Sequence, residues 1–245
     1  MKFTKKLLFL TLLFTPTFVM AVSSFNGFRD NVTAENLPYF SKDLAAMLGA
    51  SSYTTGRILG WGGFQLSMHG VFVPRLNKKD TALGPRNENK NLFMPLIQGE
   101  IGLPFRLDGF IRAISYDGLT LAGGGLKWGI TRPRDEDYTF QAMLVALAQS
   151  GVYRDFSVSH YTGNLVIAFK TPYVTPYVGG GVDYMVLTVE SANLDPTLVD
   201  KKSYSTTARG TAGLNFKLPN YMDLSLAANF ASYGVGYEAN FGVRF

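Results

Sequence analysis

The residues able to do acid–base chemistry are few, because the 245-residue chain has only two histidines, His69 and His160. A serine hydrolase needs a histidine base beside its nucleophile and an acid that orients the base. Ser157 and Ser159 precede His160, but successive residues of a strand point to opposite faces unless a bulge intervenes. Two distant histidines and no cysteine also make no zinc ligand set. The sequence therefore predicts a protein that is not an enzyme, with no catalytic residue, no metal and no cofactor.

Two runs of three glycines, 123–125 and 179–181, have the composition of phosphate-binding loops. No predicted helix follows either run, so neither has the helix N-terminus that such a loop requires. Inside strands, glycine marks bends and places of close approach. We therefore interpret both runs as points where a sheet curves.

Charged residues of both signs recur on the polar faces of the strand-like segments, and these are the remaining candidate site residues. The predicted set is Glu100, Lys127, Asp183, Arg209, Lys217, Asp223, Glu238 and Arg244. If the sheet closes on itself, alternation turns all of them toward the interior. There they either pair into a network that fills the space or line a narrow water path, and the sequence leaves both possibilities open.

The chain begins with the layout of a secretory signal peptide. Three lysines, at positions 2, 5 and 6, precede an apolar stretch from Leu7 to Met20, and Val19 and Ala21 fit a cleavage site. The predicted signal peptide is therefore 1–21. Removing its three lysines from the 23 basic residues leaves 20, against 18 acidic residues. This near balance, without a basic cluster, predicts no nucleic-acid partner.

Residues 22–61 differ from the rest because their apolar residues have helical spacing. Asn36 could cap a helix whose first turn holds Pro38, and Gly49 is a plausible stop. The sequence thus predicts a short helix over 36–49. We expect this segment at the periplasmic end of the sheet structure. A partial plug inside the structure and a position on the periplasmic membrane surface are the other possibilities.

Residues 62–245 alternate between apolar and polar positions, in about ten segments of about ten residues. Two longer polar stretches, 74–91 and 190–202, interrupt the pattern and are predicted to be exposed loops. With an even strand count, both long loops fall on the same side of the structure. A phase slip between Val158 and Tyr161 suggests a bulge.

The last eleven residues follow the alternation strictly, with Tyr237, Phe241, Val243 and Phe245 on one face. This stretch resembles the C-terminal assembly signal of bacterial outer-membrane β-barrels, although Asn240 stands where that signal often has glycine. Residues 175–182 also resemble a sequence motif common in small outer-membrane barrels. The resemblance implies an all-β fold, a transmembrane antiparallel up-and-down β-barrel of about ten strands with a short N-terminal α-helix, located in the outer membrane.

The resemblance also implies partners and limits the functions to consider. We expect a monomer that contacts outer-membrane lipid and lipopolysaccharide, and that meets the barrel-assembly machinery through its last strand. The first expectation for function is a narrow solute channel or a structural barrel. The alternatives are a surface adhesion or interaction protein acting through loops 74–91 and 190–202, and a barrel-embedded lipid-modifying enzyme. The chain lacks the histidine motifs of outer-membrane phospholipases, lipid A deacylases and omptin proteases.

Overall fold

A single closed barrel accounts for most of the computed structural model, which describes residues 25–84, 91–132 and 136–245. Each strand pairs antiparallel with its neighbours in sequence, and β1 closes the barrel by pairing with β10. The strands are β1 Phe64–Val73, β2 Leu92–Leu103, β3 Leu107–Tyr116, β4 Leu119–Gly129, β5 Thr139–Tyr153, β6 Phe156–Lys170, β7 Val174–Val189, β8 Lys202–Leu218, β9 Met222–Ala231 and β10 Gly234–Arg244. The predicted fold class and strand number are confirmed, while the predicted signal peptide lies outside the described residues.

The outer face of the barrel is apolar on every strand. Exposed apolar side chains, one from each strand in order, are Leu66, Ile97, Ile111, Leu126, Leu144, Leu165, Val182, Leu214, Leu226 and Tyr237. An apolar surface that runs around the whole molecule is far larger than a water-soluble monomer exposes. It matches the outward band by which a transmembrane barrel meets lipid.

Among the described residues, no helix is long and apolar enough to cross a membrane.

The barrel has two distinct ends. At the terminal end, the amides of Phe64 and Phe245 each donate to the carbonyl of the other, at 3.3 and 2.8 Å, and so close the seam between β1 and β10. At the opposite end, here called the loop end, lie the described residues of the two long connections that follow β1 and β7. In outer-membrane barrels the longer loops face the outside of the cell.

The predicted bulge in β6 is wrong. Strands β5 and β6 pair without a break from Tyr153 with Phe156 to Thr139 with Lys170. Phe156 and Val158 are buried and point into the barrel together with His160. The alternation only seemed to slip because the interior is apolar at the loop end of the strand and polar further along.

Two helices lie within the N-terminal segment, α1 Phe28–Asn31 and α2 Leu37–Gly49. Pro38 stands in the first turn of α2, as predicted, but the Asn36 side chain does not cap the helix. Instead, Asn36 Nδ2 donates to the Thr81 hydroxyl at 3.0 Å, which joins the start of α2 to the first long loop. The Ser41 and Ser205 hydroxyls, 2.9 Å apart, place α2 against β8 inside the barrel.

Candidate functional site

The N-terminal segment, residues 25–59, enters the lumen from the loop end. Arg29 Nε donates to Asn193 Oδ1 of the second long loop at 2.8 Å. Asp43 of α2 accepts hydrogen bonds from the Asn77 amide and from the Ser232 hydroxyl, both at 2.6 Å. These partners belong to three connections at the loop end, so α2 lies in that half of the barrel.

The same segment leaves the lumen at the other end. The Leu59 amide donates to Asp108 Oδ2 at 2.6 Å, and Gly102 donates to the Gly63 carbonyl at 2.7 Å, beside the start of β1. Residues 25–59 therefore run through the barrel from the loop end to the terminal end. The expected periplasmic position of the helix does not agree with these contacts, because α2 lies at the end opposite to the chain terminus.

The loop-end half of the lumen is a dry apolar core. The rings of Phe25, Phe28 and Phe40 from the segment meet Phe156 of the wall, with centroids 4.9 to 5.7 Å apart. The wall contributes apolar inward residues from five strands: Val71, Met94, Leu121, Phe156, Val158, Met185 and Leu187. All are buried, and burial of this kind is worth about 1.5–3 kcal/mol for each large side chain. The segment and the wall thus share one hydrophobic core.

The end of α2 meets a polar layer in the wall. Arg112 of β3 donates to the carbonyls of Leu48 and Ala50, and Gln149 of β5 donates to the Leu48 carbonyl at 2.9 Å. The last carbonyls of a helix have no partners within it and carry a partial negative charge. A buried arginine at this place satisfies them, and Gln149 Oε1 holds the guanidinium from the side at 2.8 Å.

An ion pair continues this layer around the wall. Arg209 Nε lies 3.1 Å from Asp183 Oδ2, and both side chains are fully buried. Arg209 also donates to Asn164 Oδ1 at 2.9 Å, and His160 Nε2 is 3.4 Å from Asp183 Oδ1 without hydrogen-bond geometry. A Cβ atom added to Gly49 would overlap the Asp183 carboxylate, so the end of α2 rests directly on this pair.

His69 has two serine neighbours, which invites comparison with a hydrolase. Its Nδ1 lies 3.0 Å from the Ser51 hydroxyl and its Nε2 lies 2.7 Å from the Ser67 hydroxyl. A catalytic histidine uses one nitrogen for the nucleophile and the other for an orienting acid. Here a serine occupies each nitrogen, and the third neighbour, which bonds Ser51, is the amide of Asn240. This buried cluster links the segment to β1 and β10.

Four further residues of the predicted charged set form two groups in the terminal-end half. Lys127 and Glu100 make a buried ion pair between β4 and β2. Asp223 accepts from Gln65 at 3.1 Å and lies 3.7 Å from Arg244 Nε.

The last two residues of the predicted charged set, Glu238 and Lys217, form no ion pair among the described residues. Glu238 is buried, and neither of its carboxylate oxygens has a hydrogen-bond partner in the described structure. Lys217 is exposed at the terminal end and donates to the Thr171 carbonyl at 2.6 Å. The eight residues therefore do not form one network.

The predicted assembly-signal residues lie on the outer face of β10. Tyr237, Phe241 and Phe245 are exposed, and Val243 is half-buried. The Phe245 ring lies 5.9 Å from that of Phe64 across the seam. Recognition of this face by assembly machinery stays a prediction.

Sequence reasoning missed several residues of the polar layer, above all Arg112, Gln149 and His160. Arg112 shares a parity with Phe110 and Ile114, so its strand gave no clear polar face. In the structure, Phe110, Arg112 and Ile114 all point into the barrel and alternate with outward neighbours. The signal that could have found them is a polar residue with an apolar one two positions away on the same face, such as Leu147 before Gln149 and Val158 before His160, which marks the change from an apolar to a polar layer of the interior.

Two carboxyl groups meet where the first long loop covers α2. Burial raises the pKa of Asp43 to about 6. Burial and the nearby Asp43 charge raise the pKa of Asp80 to about 8. A raised pKa means that the folded state holds these protons more tightly than the unfolded state, whose carboxyls titrate near 3.8. The contribution of these two carboxyls to the stability of the folded barrel therefore falls as the pH rises from about 4 to about 8.

We expect Asp80→Asn to raise the free energy of unfolding at about pH 9, by at least about 1 kcal/mol, and to leave it nearly unchanged at about pH 3.5. Above about pH 4, wild type bears the cost of burying or protonating the Asp80 carboxylate, whereas the neutral amide does not. Thermal unfolding in detergent across this range measures both values. Asp200→Asn, an exposed change in the second long loop, is the control. A parallel pH dependence in wild type and Asp80→Asn would contradict the assignment.

Among the described residues, no group of three or more His, Cys, Asp and Glu side chains is placed to hold a metal ion.

Comparison with known proteins finds no related sequence and only distant structural similarity. No known family profile and no curated protein matches the sequence. Solved structures similar to it include Ail of Yersinia pestis, with 13% identity over 76% of this chain and 99% of that chain and a TM-score of 0.38. The N-terminal β-barrel domain of Pseudomonas aeruginosa OprF has 16% identity over 76% and 99%, with a TM-score of 0.36. OprG from Pseudomonas aeruginosa has 11% identity over 78% and 99%, with a TM-score of 0.37.

The membrane location of the chain follows from the closed sheet and the apolar outer surface of its barrel. A closed antiparallel sheet satisfies its backbone groups internally, and an apolar belt covers every strand. The chain is a small bacterial outer-membrane β-barrel. Its lumen is occupied by its own N-terminal segment.

Proposed function

We propose that this outer-membrane barrel is a closed structural barrel, in which residues 25–59 are a permanent core and not a removable gate. The observation that carries the proposal is the dry apolar cluster shared by the segment and the wall. Phe28 and Phe40 are fully buried there against Phe156. No continuous water path can cross such a layer, so this state of the protein does not conduct.

The wall itself argues against the alternative of a solute channel. If the segment left, the loop-end half of the lumen would present Val71, Met94, Leu121, Met185 and Leu187 to water. Apolar constrictions in channels oppose the entry of water and ions. The charged and amide inward residues of the strands lie in the middle and at the terminal end, whereas the loop-end half of the wall adds the hydroxyls of Ser203 and Ser205. An interior divided in this way fits a filled barrel better than a pore.

The long loops also support a structural role over adhesion. Asn193 of the second loop donates to Asp30 and receives a hydrogen bond from Arg29. Asn77 of the first loop binds Asp43 of α2. Both loops thus hold the segment in place. A lipid-modifying activity lacks support because His69 and His160 are buried inside the lumen, away from the lipid-facing surface.

Planar-bilayer recording tests the proposal. We expect purified wild type to give no conductance steps. A variant with Ser41→Cys and Ser205→Cys can form a disulfide between α2 and β8, because these hydroxyls are 2.9 Å apart and the chain has no other cysteine. We expect this variant to be silent both oxidised and reduced.

A gated channel would behave differently in the same experiment. Wild type would show conductance steps, and the disulfide variant would show them only after reduction. A matched variant with Ser41→Cys and Tyr204→Cys controls for the substitutions, since Tyr204 points out to lipid and cannot reach α2. Steps that vanish on oxidation in the first variant alone would overturn the proposal.

A further inference from the structure

The terminal end of the barrel contains a cavity of about 610 Å³ beneath the N-terminal segment. Thr55 and Arg57 of the segment form its roof, and inward residues of β5 to β10 form its walls. Above the roof, the segment fills the lumen. In the described part of the chain, the segment thus closes the cavity from above, which makes it a pocket at the terminal end and not part of a path.

Basic side chains dominate the lining of this pocket. Among the described residues, four basic ones, Arg57, Lys170, Lys217 and Arg244, face two acidic ones, Asp137 and Asp223. The described lining thus has an excess of two positive charges. The four basic groups come from the segment, β6, β8 and β10, so they surround the space from different sides.

One ion pair in the pocket is loose. Arg244 Nε lies 3.7 Å from Asp223 Oδ1 and has no hydrogen-bond partner among the described residues. This distance exceeds the roughly 2.7–3.2 Å typical of an N–H···O hydrogen bond, so Arg244 Nε keeps capacity for another acceptor. Lys217 meets a carbonyl, that of Thr171, in place of an acid. Asn215 and Gln141 add amide groups to the same walls.

We propose that this terminal-end pocket binds an anionic ligand that carries phosphate or carboxylate groups. Arginine and lysine are the side chains that recognise such oxyanions, through charge-assisted hydrogen bonds. The volume suits a small molecule with more than one oxyanion group. In the membrane, this end faces the periplasm if the long loops face outward. The inference rests on the proposed closed state, because Arg57 reaches the pocket only while the segment occupies the lumen.

Isothermal titration calorimetry on the full-length barrel in a maltoside detergent tests the pocket. The probes are pyrophosphate and citrate, at low ionic strength. We expect both to bind, and the affinity to fall as salt is added. Lys217→Gln and Arg57→Gln should each weaken binding by about tenfold or more, the value of one charge-assisted hydrogen bond. The heat-modifiable shift on gels confirms that each variant is folded.

Arg106→Gln is the matched control. Arg106 is an exposed arginine at the same end of the barrel, but it lies outside the pocket and over the Trp128 ring. We expect its loss to leave both affinities unchanged. Absence of binding by both probes would overturn the inference. Equal weakening by Arg106→Gln and Lys217→Gln would overturn it too, since that result means unspecific attraction.

A third titration separates the possible sources of the oxyanion. Dihexanoyl phosphatidylglycerol presents the same phosphate chemistry as a lipid headgroup. If it binds in a Lys217-dependent manner while pyrophosphate and citrate compete with it, the pocket accepts both sources. If the soluble anions bind and the lipid does not, the ligand is a periplasmic solute. Conductance plays no part in these titrations, so a failure here is distinguishable from a failure of the closed-barrel proposal.

Discussion

Replacing Asp183 with alanine is expected to destabilise the folded barrel by about 3–5 kcal/mol, because it leaves the buried Arg209 charge without its partner. Both side chains are fully buried, and Arg209 Nε lies 3.1 Å from the Asp183 carboxylate. The same carboxylate supports the end of α2 at Gly49. Urea-dependent unfolding from lipid vesicles measures the loss. The heat-modifiable band on gels gives a second reading of the folded fraction.

The double variant with Asp183→Ala and Arg209→Ala should lose less stability than Asp183→Ala alone, since no unpaired charge remains. Glu190→Ala is the control. Glu190 is an exposed acid at the loop end that accepts a hydrogen bond from Ser157 at 2.8 Å, and its loss should cost at most about 1 kcal/mol. If the double variant is the least stable of all, the pair does not act as a buried ion pair.

The second large effect concerns the apolar core inside the barrel. We expect Phe40→Ala to reduce the free energy of unfolding by about 3–5 kcal/mol, as for other fully buried phenylalanines. Phe40 is completely buried, and its ring lies 5.0 Å from Phe28 and 5.5 Å from Phe156. Removing it leaves a cavity between α2 and the wall. Refolding titrations into vesicles give the value directly.

Tyr39→Ala provides the comparison for that change. Tyr39 precedes Phe40 on α2 but is half-exposed, with Lys79 5.4 Å above its ring. We expect it to cost about 1 kcal/mol or less. A barrel that loses no stability in Phe40→Ala would show that the segment is dispensable, as a removable gate would be.

The barrel was predictable from sequence because alternation is a local property of each strand. Period two, turn residues and the even strand count gave ten strands with both long loops at one end. Strand β5 continues to Tyr153, so only residues 154 and 155 connect it to β6. The apolar residues that extend β5 and β6 pack on the N-terminal segment. No local pattern indicates that partner, because it lies more than a hundred residues away.

The sequence predicts which charged side chains point into the barrel, but not which of them pair with each other. Parity correctly turns Arg209 inward, yet its partner is Asp183 of β7, and not Asp223 of β9, which the strand order also allows. Lys217 lies directly opposite Asp223 in the ladder, but it bonds the Thr171 carbonyl. Alternation assigns a face, whereas pairing depends on depth along the barrel axis and on what fills the space between the strands.

The most direct test of the account is whether the N-terminal segment lies inside the barrel in the outer membrane. The variant with Ser41→Cys and Ser205→Cys is oxidised in intact membranes, denatured, and treated with a maleimide polymer that adds mass to each free thiol. The account predicts no added mass before reduction and two additions after it, while the control with Ser41→Cys and Tyr204→Cys gains two additions in both cases. Two additions to both variants before reduction would contradict the account, because α2 would then not lie against β8.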